Sequence, residues 1–494
     1  MKIVRLIFIL LLAGAPIPFL YAQNASDTNV TTYAVETFGS AATGSYTPFW
    51  MTSNRYGVVP LEAGNGYLRP RIDHRQSFGD GFHWAAGIDA VVTAPRYRNV
   101  YLQQLYAEIG YKSLLLTLGS KEKYTSGWDQ RLSSGDMIQS ANARPTPEAH
   151  ISIPEFLTVP LTKGWFHFRG YLSVGRSLDS DYLDDFVKTN QVYNRDVLWH
   201  DKSLTIRLRD TRSHFPAYLS FGISHTAQWG GRSTDPEVGK QPQSLKDFAR
   251  IFFAKAGNAT ASLSDQVNVL GAHHISYNFH AGFAKANWEL QAYYQHIASD
   301  KSGVLMYNGT DGLWGLQLDL SQCRWIRKVV AEYIITKDQS GQFHYLDFDH
   351  DAHPGRGGGA DNYYNNQEYR TGHSYFNRSK GTPLLISPEY NADGSLGFKS
   401  TRIQDFHLGI EGDLSRQLSY RVLFTVMNGW GTPYQPFLKK QTGASFLVEA
   451  HYTHTRLRDW SFTGSLGGDT GDVVGDRSFG FSLSIKKQGI LKKW

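Results

Sequence analysis

A two-residue alternation of apolar and polar side chains recurs along this chain and constrains its fold more than any other feature. Between residues 82 and 92 every even-numbered position is apolar, whereas His83, Gly87 and Asp89 lie on the opposite face. Residues 479–485 repeat the pattern with an apolar side chain at every odd position. Because successive side chains of a strand point to opposite faces, this pattern predicts β-strands with one apolar and one hydrophilic face. We therefore expect an all-β chain.

Two β architectures produce such an alternation: a soluble sandwich buries its apolar faces, and an outer-membrane barrel turns them toward lipid. The segments are about 10 residues long, which is the length of a tilted transmembrane strand. Their polar faces carry several charges, as in the run Arg69, Arg71, Asp73 and Arg75, which suits a water-facing lumen. Aromatic residues stand near the segment ends, where the girdles of a membrane barrel lie, at Tyr101, Tyr111, Trp165, Trp288 and Trp460. These features favour the barrel.

We predict 18 strands, of which 31–39 and 150–160 have the weakest pattern, so that 16 is the alternative count. The other predicted strands are 68–78, 82–92, 101–110, 114–120, 166–175, 197–209, 216–229, 270–282, 288–297, 313–320, 328–336, 402–412, 418–428, 444–455, 460–468 and 478–486. Their connections alternate between short turns and long loops, and two loops contain predicted helices, Asp181–Lys188 and Ser244–Lys255. In outer-membrane barrels the short turns are periplasmic and the long loops are outside. The prediction is a transmembrane antiparallel β-barrel of about 18 strands with long extracellular loops.

The N-terminal residues Met1–Ala22 have the pattern of a signal peptide. Lys2 and Arg5 precede a short apolar stretch that Pro16 interrupts, and cleavage after Ala22 leaves a single barrel domain, 23–494, in the outer membrane. Without this segment, 48 basic and 44 acidic residues remain, which gives a net charge of +4. These charges are dispersed along the chain, so no nucleic-acid partner is expected. A single cysteine, Cys323, excludes an intramolecular disulfide and a multi-cysteine zinc site.

Two segments resemble a known family. Gly44–Gly57 reads GSYTPFWMTSNRYG, and Asn362–Leu385 reads NYYNNQEYRTGHSYFNRSKGTPLL. Both are similar to segments of the Wzi-type capsule assembly family, in its bacteroidete outer-membrane branch. The resemblance implies an outer-membrane barrel of about 18 strands that acts as a lectin, binding capsular or extracellular polysaccharide and supporting capsule assembly or attachment. The short segment before the first strand leaves little room for the periplasmic helical segment of enterobacterial members.

Aromatic and cationic side chains in two predicted outside loops are the candidates for polysaccharide binding. Aromatic rings pack on the apolar faces of sugars, and Arg and Lys suit acidic sugars. The candidates in loop 337–401 are Tyr363, Tyr364, Tyr369, Arg370, His373, Tyr375, Arg378 and Lys380, and those in loop 429–443 are Trp430 and Tyr434. The alternative is that the aromatic side chains pack the loops onto the mouth of the barrel.

Other chemistries have weaker sequence support. The run 347–353, DFDHDAH, is rich in metal-ligand types but lacks the EF-hand and HExxH spacings, and 355–359, GRGGG, lacks a strand-to-helix context. Asp405, His407 and Glu411 share one face of a predicted strand, as do Glu449 and His451 on another, without a GxSxG elbow or comparable fingerprint. We predict no enzyme activity, no cofactor and no metal.

The alternative function is that of a porin or channel for small anionic solutes or saccharides. A barrel of 16–18 strands can enclose an aqueous pore. Lumen rows such as Arg69, Arg71 and Arg75, or Arg207 and Arg209, would favour anions. The two hypotheses differ in whether the lumen is open or plugged.

Overall fold

Eighteen strands form one closed antiparallel barrel. The computed structural model describes residues 29–494 except 96–99, 213–214, 259–260, 263–264, 267–268, 340–360, 455, 458 and 476. In chain order the barrel strands are β1 (Val30–Tyr46), β2 (Glu62–Phe78), β3 (Phe82–Ala94), β4 (Val100–Tyr111), β5 (Leu114–Ser120), β6 (Glu148–Thr158), β7 (Phe166–Arg176), β8 (Leu198–Leu208), β9 (Ala217–Trp229), β10 (Ala272–Lys285), β11 (Trp288–Ala298), β12 (Gly312–Leu320), β13 (Lys328–Ile335), β14 (Gln404–Asp413), β15 (Leu418–Gly431), β16 (Pro436–Thr453), β17 (Trp460–Gly471) and β18 (Ser478–Lys493).

Each strand pairs with its neighbours in the sequence, and β1 pairs with β18, where Phe38 faces Ser484. The sheet therefore has no free edge. The predicted fold class and the count of 18 strands are confirmed, and the two weakest predicted strands are present as β1 and β6. The predicted signal peptide, 1–22, lies outside the described residues.

The two faces of the wall are apolar outside and polar inside. On β3 and β4, Ile88 and Leu105 are 45% and 52% exposed, whereas the adjacent Asp89 and Gln104 are 0% and 1% exposed. The Gln104 side-chain amide donates to Asp89 Oδ2 at 2.7 Å inside the barrel. A soluble sandwich has the reverse arrangement, so these exposures are those of a lipid-facing barrel.

Several strands are longer than predicted. β1 and β2 have 17 residues each and β16 has 18, because they continue beyond the apolar segments at one end of the barrel. The added residues, such as Ser40–Tyr46, are small or polar, yet Ser40 still pairs with Asn65. Ladder hydrogen bonds outside the hydrocarbon layer need no apolar face, which explains why hydrophobic alternation does not reveal them. The predicted long loop 429–443 is consequently a tight turn, 432–435.

The two ends of the barrel differ in their connections. One end, here called the turn end, carries the connections 79–81, 112–113, 159–165, 209–216, 286–287, 321–327, 414–417 and 454–459. The opposite loop end carries the long connections, whose described residues include four short helices, α1 (Phe49–Thr52), α2 (Ser180–Phe186), α3 (Leu245–Phe252) and α4 (Lys301–Val304). Helices α2 and α3 lie where the sequence predicted them. Among the described residues, no helix has the length and apolar character needed to cross a membrane.

A charge on the lipid-facing wall should destabilise the barrel according to its depth. Leu316 lies midway along β12 and is 53% exposed, whereas Leu438 lies at the loop end of β16 and is fully exposed. We expect Leu316→Arg to lower the free energy of unfolding in lipid vesicles by about 2–4 kcal/mol, and Leu438→Arg to lower it by less than about 1 kcal/mol. Guanidinium titration of both variants measures the difference. Equal losses would contradict the assigned lipid face.

Candidate functional site

Three loops from the loop end enter the barrel and fill much of its lumen. These plug loops are residues 47–61, 121–147 and the described part, 361–403, of the connection between β13 and β14. Their buried side chains form one apolar cluster with wall residues, in which Trp50, Trp128 and Tyr363 are among the largest members. The position of this cluster makes the inside of the barrel a packed core.

Plug loop 121–147 is fastened to the wall by Glu332, a lumen-facing carboxylate of β13. Glu332 accepts hydrogen bonds from the hydroxyl of Ser133 at 2.7 Å and from the backbone N–H of Ser134 at 2.7 Å. The hydroxyl of Tyr293, on β11, donates to the same carboxylate at 2.5 Å. The Tyr293 ring in turn stacks on Trp128 of the loop, with ring centroids 5.0 Å apart. A buried carboxylate requires such donors, so these contacts fix the loop in the lumen.

The same loop reaches from one end of the barrel wall to the other. Near the loop end, the Met137 N–H donates to the Gln295 side chain of β11 at 2.7 Å. At the turn end, Asp129 pairs at 2.7 Å with Lys328, the first residue of β13. Through the strand pairing Gln295 is level with Ile334 of β13, six residues from Lys328, so the two anchors are separated by about 20 Å of strand rise. The plug therefore extends through the height of the barrel along this part of the wall.

Plug loop 47–61 attaches to strands β15–β17. The indole N–H of Trp50 donates to Thr425 at 2.9 Å, and the Phe49 N–H donates to Asp469 at 2.8 Å. Arg55 pairs with Glu449 at 2.7 Å. These contacts explain why the first family-like segment, Gly44–Gly57, is aromatic and polar, because its side chains form the interface between plug and wall.

Plug loop 361–403 joins the other two inside the barrel. The hydroxyl of Tyr364 donates to the Met137 carbonyl, and Thr382 donates to the Ser134 carbonyl at 3.1 Å. Arg378 forms a paired hydrogen bond with Glu389, at 2.8 and 3.0 Å. The three loops thus form a single unit with its own hydrogen bonds and ion pairs.

Most of the candidate sugar-binding residues lie inside this plug. Seven are buried: Tyr363, Tyr364, Tyr369, His373, Tyr375, Arg378 and Lys380. The other three are accessible: Arg370 and Tyr434 are exposed, and Trp430 is half-buried. In this conformation the seven buried side chains pack within the plug, which agrees with the alternative that these side chains pack the loops onto the barrel. Their direct contact with sugar stays a prediction that would require movement of the plug.

The accessible candidate Trp430 stands in a cationic patch at the loop end. The amino groups of Lys337 and Lys440 lie 4.5 and 5.7 Å from the centre of its indole. The backbone N–H of Trp430 donates to the Arg402 carbonyl at 2.9 Å, and Arg402 donates through Nε to the Lys337 carbonyl at 3.2 Å. We call Lys337, Arg402, Trp430 and Lys440 the rim patch; Tyr434 lies in the turn that follows it. Sequence reasoning missed Lys337 and Arg402, because only the pairing of β14 with β15 brings them to Trp430.

The acidic and histidine residues considered for catalysis serve as structural contacts. His407 bridges Thr425 of the wall and the Leu132 carbonyl of the plug, at 2.7 Å in each case. Asp405 accepts from the Asn428 N–H at 2.8 Å. Glu449 pairs with Arg421 at 3.0 Å as well as with Arg55.

The described part of the chain contains no group of three or more His, Cys, Asp or Glu side chains that could hold a metal. The acidic run 347–353 and the glycine run 355–359 lie outside the described residues. Cys323 is half-buried in the turn 321–327 between β12 and β13, at the turn end.

Burial shifts the protonation equilibria of the plug loops and their neighbours. It lowers the pKa of His373 to about 4 and raises the pKa of Asp179 to about 6. Burial also lowers the pKa of Lys380, an effect that the Asp201 carboxylate 3.9 Å away opposes. These groups are held by packing, so a change of protonation acts on the stability of the plug.

No sequence-family profile and no curated protein sequence matches the chain. Among solved structures, it is similar to Wzi of Escherichia coli, described as an outer-membrane protein involved in group 1 capsule assembly and a carbohydrate-binding β-barrel. The identity is 12%, the match covers 93% of this chain and 84% of Wzi, and the TM-score is 0.56. The fold is a Wzi-like outer-membrane barrel.

Lower similarity links the chain to two barrels of Pseudomonas aeruginosa. OccK5 (OpdH) is 9% identical, with 95% of this chain and 100% of that chain covered and a TM-score of 0.47. OccK11 (OpdR) is 10% identical, with 96% and 100% covered and a TM-score of 0.46. At these identities, similarity to Wzi establishes the barrel fold and leaves function to be argued from the residues.

Acid should loosen the plug through His373. Its Nε2 donates to the Ile138 carbonyl at 2.6 Å, and its ring lies 4.5 Å from that of His274. Because the folded pKa is about 4 and the unfolded pKa about 6.5, the neutral ring stabilises the fold above pH 6.5. This contribution, up to about 3 kcal/mol, is lost as the pH falls toward 4.

The measurement is the free energy of unfolding between pH 7 and pH 4. We expect His373→Gln to show a smaller loss on acidification than the wild type, whatever its stability at pH 7. The matched control is His454→Gln, in the turn between β16 and β17. An unchanged pH dependence in His373→Gln would contradict the assignment.

Proposed function

We propose that the protein is a lectin-like barrel of the outer membrane that binds capsular or extracellular polysaccharide and supports capsule assembly or surface attachment. The observation that carries the proposal is the plug, which fills the lumen while the rim patch stays accessible at the loop end. Similarity to Wzi, described as a carbohydrate-binding barrel, supports it. In this proposal the partners are the polysaccharide outside and the surrounding outer-membrane lipids.

The rim patch has the chemistry that an acidic polysaccharide requires. The indole of Trp430 offers an apolar face to a sugar ring, and Lys337 and Lys440 lie within 6 Å of it to meet carboxylates. Arg370 adds an exposed guanidinium from a plug loop. A single patch of this size binds weakly, but a repeating polymer presents the same group many times, so affinity for the polymer rises through multivalency.

The plug argues against the porin alternative. A diffusion channel needs a continuous aqueous path, whereas loop 121–147 is anchored from Gln295 to Lys328 along the wall. The lumen arginines that suggested anion conduction are partly neutralised inside the barrel, as in the pairs Arg69–Asp89 and Arg71–Asp73. The polar residues considered for catalysis hold plug and wall together, and we propose no enzymatic role.

Polysaccharide binding should depend on Trp430. We expect Trp430→Ala to weaken the binding of cell-surface polysaccharide, purified from the source cells, by about tenfold, which is about 1.4 kcal/mol. The matched control is Trp165→Ala, an exposed tryptophan at the turn end, which should bind as the wild type does. Surface plasmon resonance on the purified full-length barrel measures both. Equal affinity of the two variants, or no binding by the wild type, would contradict the proposal.

Bilayer recordings should separate the lectin from the porin. We expect the wild-type protein to show no large steady currents, and deletion of residues 126–139 to open the barrel, because this deletion removes the segment bonded to Glu332. A matched deletion of 234–239, from an exposed part of the β9–β10 connection, should leave the barrel closed. Large steady wild-type currents would favour the porin alternative.

A further inference from the structure

A part of the lumen on the β4–β10 side is left open beneath the plug. It contains a cavity of about 320 Å³, to which Tyr171, Ser203 and Thr205 contribute polar groups. A smaller cavity adjoins it, and Arg169 lines both. The larger cavity extends to Glu148 and His150 near the loop end, and Arg207 lines the smaller one. Arg169 is the fourth residue of β7, which begins at the turn end, and Arg207 is next to last in β8, which ends there, so both arginines lie toward the turn end.

Two arginines flank one aromatic ring in this space. The guanidinium carbons of Arg169 and Arg207 lie 4.9 and 3.8 Å from the centre of the Phe156 ring. Arg207 also lies 4.4 Å from the ring centre of Tyr218 and donates through Nε to Ser220 at 3.0 Å. The rings hold both cations in place and leave their remaining N–H groups for another acceptor.

An irregularity in β6 brings Phe156 to this position. Pairing of β6 with β7 is regular up to Ile153, opposite Gly170, and resumes at Leu157, opposite Phe168. Four residue steps of β6 therefore face two of β7, and the extra residues redirect the chain before the strand ends. Bulges commonly re-aim a side chain in this way.

Arg169 and Arg207 lack the close carboxylate partners that Arg69 and Lys121 have. Arg69 pairs with Asp89 and Glu122, at 2.6 and 2.7 Å, and Lys121 pairs with Glu108. Among the described residues neither Arg169 nor Arg207 forms an ion pair, and the carboxylates of Glu155 and Glu289 act on Arg169 and Arg207, respectively, from beyond ion-pair distance. Glu289, near Arg207, accepts instead from Tyr218 at 3.1 Å and from Gln291 at 3.0 Å.

We propose that Arg169 and Arg207 bind the carboxylate of an acidic saccharide that enters from the turn end, which is periplasmic in outer-membrane barrels. A carboxylate supplies the missing counterion, and guanidinium groups bind it through paired hydrogen bonds. The hydroxyls of Tyr171, Ser203 and Thr205 and a volume of about 320 Å³ suit the attached sugar units better than a bare ion. The proposal rests on the proposed function and adds to it a second site and a carboxylated substrate.

The test uses the purified full-length barrel and tetragalacturonate as the probe, with galactotetraose as the uncharged comparison. By isothermal titration calorimetry, we expect the wild type to bind tetragalacturonate, and Arg169→Gln/Arg207→Gln to bind it at least tenfold more weakly. The matched control Arg212→Gln/Arg416→Gln removes two exposed arginines from turns at the same end and should bind as the wild type does. In a Trp430→Ala background, which weakens the rim patch, Arg169→Gln/Arg207→Gln should still lower the affinity for tetragalacturonate at least tenfold, which separates this site from the rim patch.

Each of these results would overturn the proposal: no binding of tetragalacturonate by the wild type, equal affinity of the Arg169→Gln/Arg207→Gln variant, equal binding of galactotetraose, or displacement by equimolar inorganic phosphate. The last would indicate a general anion site. Loss of tetragalacturonate binding in Trp430→Ala alone would leave the proposed function intact and overturn this second site. Heat-modifiable migration on gels verifies that each variant is folded.

Discussion

The structure depends on one constraint: inside the hydrocarbon layer, every backbone N–H and C=O group must find a partner within the protein. Pairing of β1 with β18 meets this constraint, because it removes the two edges that an open sheet would leave in lipid. The apolar faces then point outward by necessity, as Ile88 and Leu105 do. Closing eighteen strands also creates a wide interior, and the plug loops fill much of that interior.

The filling is polar as well as apolar, since the wall presents its hydrophilic face inward. Glu332 illustrates the consequence: buried in the wall, it needs donors, and Ser133, Ser134 and Tyr293 supply them. Glu449 is satisfied in the same way by Arg55 from the plug and Arg421 from the wall. A loop that supplies hydrogen-bond donors or cations to buried carboxylates is held firmly, because a buried charge left without its partner would destabilise the fold by several kcal/mol. This explains why the plug contains charged residues and yet is packed like a core.

The barrel could be predicted from the sequence because lipid imposes a two-residue period on every strand. No comparable periodicity applies to the loops. Tyr363 and Tyr364 have the composition of a sugar-binding surface, yet an aromatic ring with a hydroxyl suits a polar lumen equally well, and both are buried there. Trp430 has the same composition and remains accessible, because β15 and β16 continue past the membrane and carry it to the rim. Burial of loop residues follows from long-range contacts such as Tyr364 with Met137, which the local sequence does not encode.

The number of charges along the strands likewise predicts less about function than the ion pairs that those charges form in the structure. The rows of arginine in the lumen all looked alike in the sequence and suggested an anion-conducting pore. In the folded barrel Arg69 is neutralised by Asp89 and Glu122, whereas Arg207, in an equivalent lumen-facing position, meets only aromatic rings and a hydroxyl. A positive potential therefore concentrates at specific points. Because the plug lies between the rim patch and the arginines beneath it, we propose that those points are two separate binding sites and not parts of one conduction path.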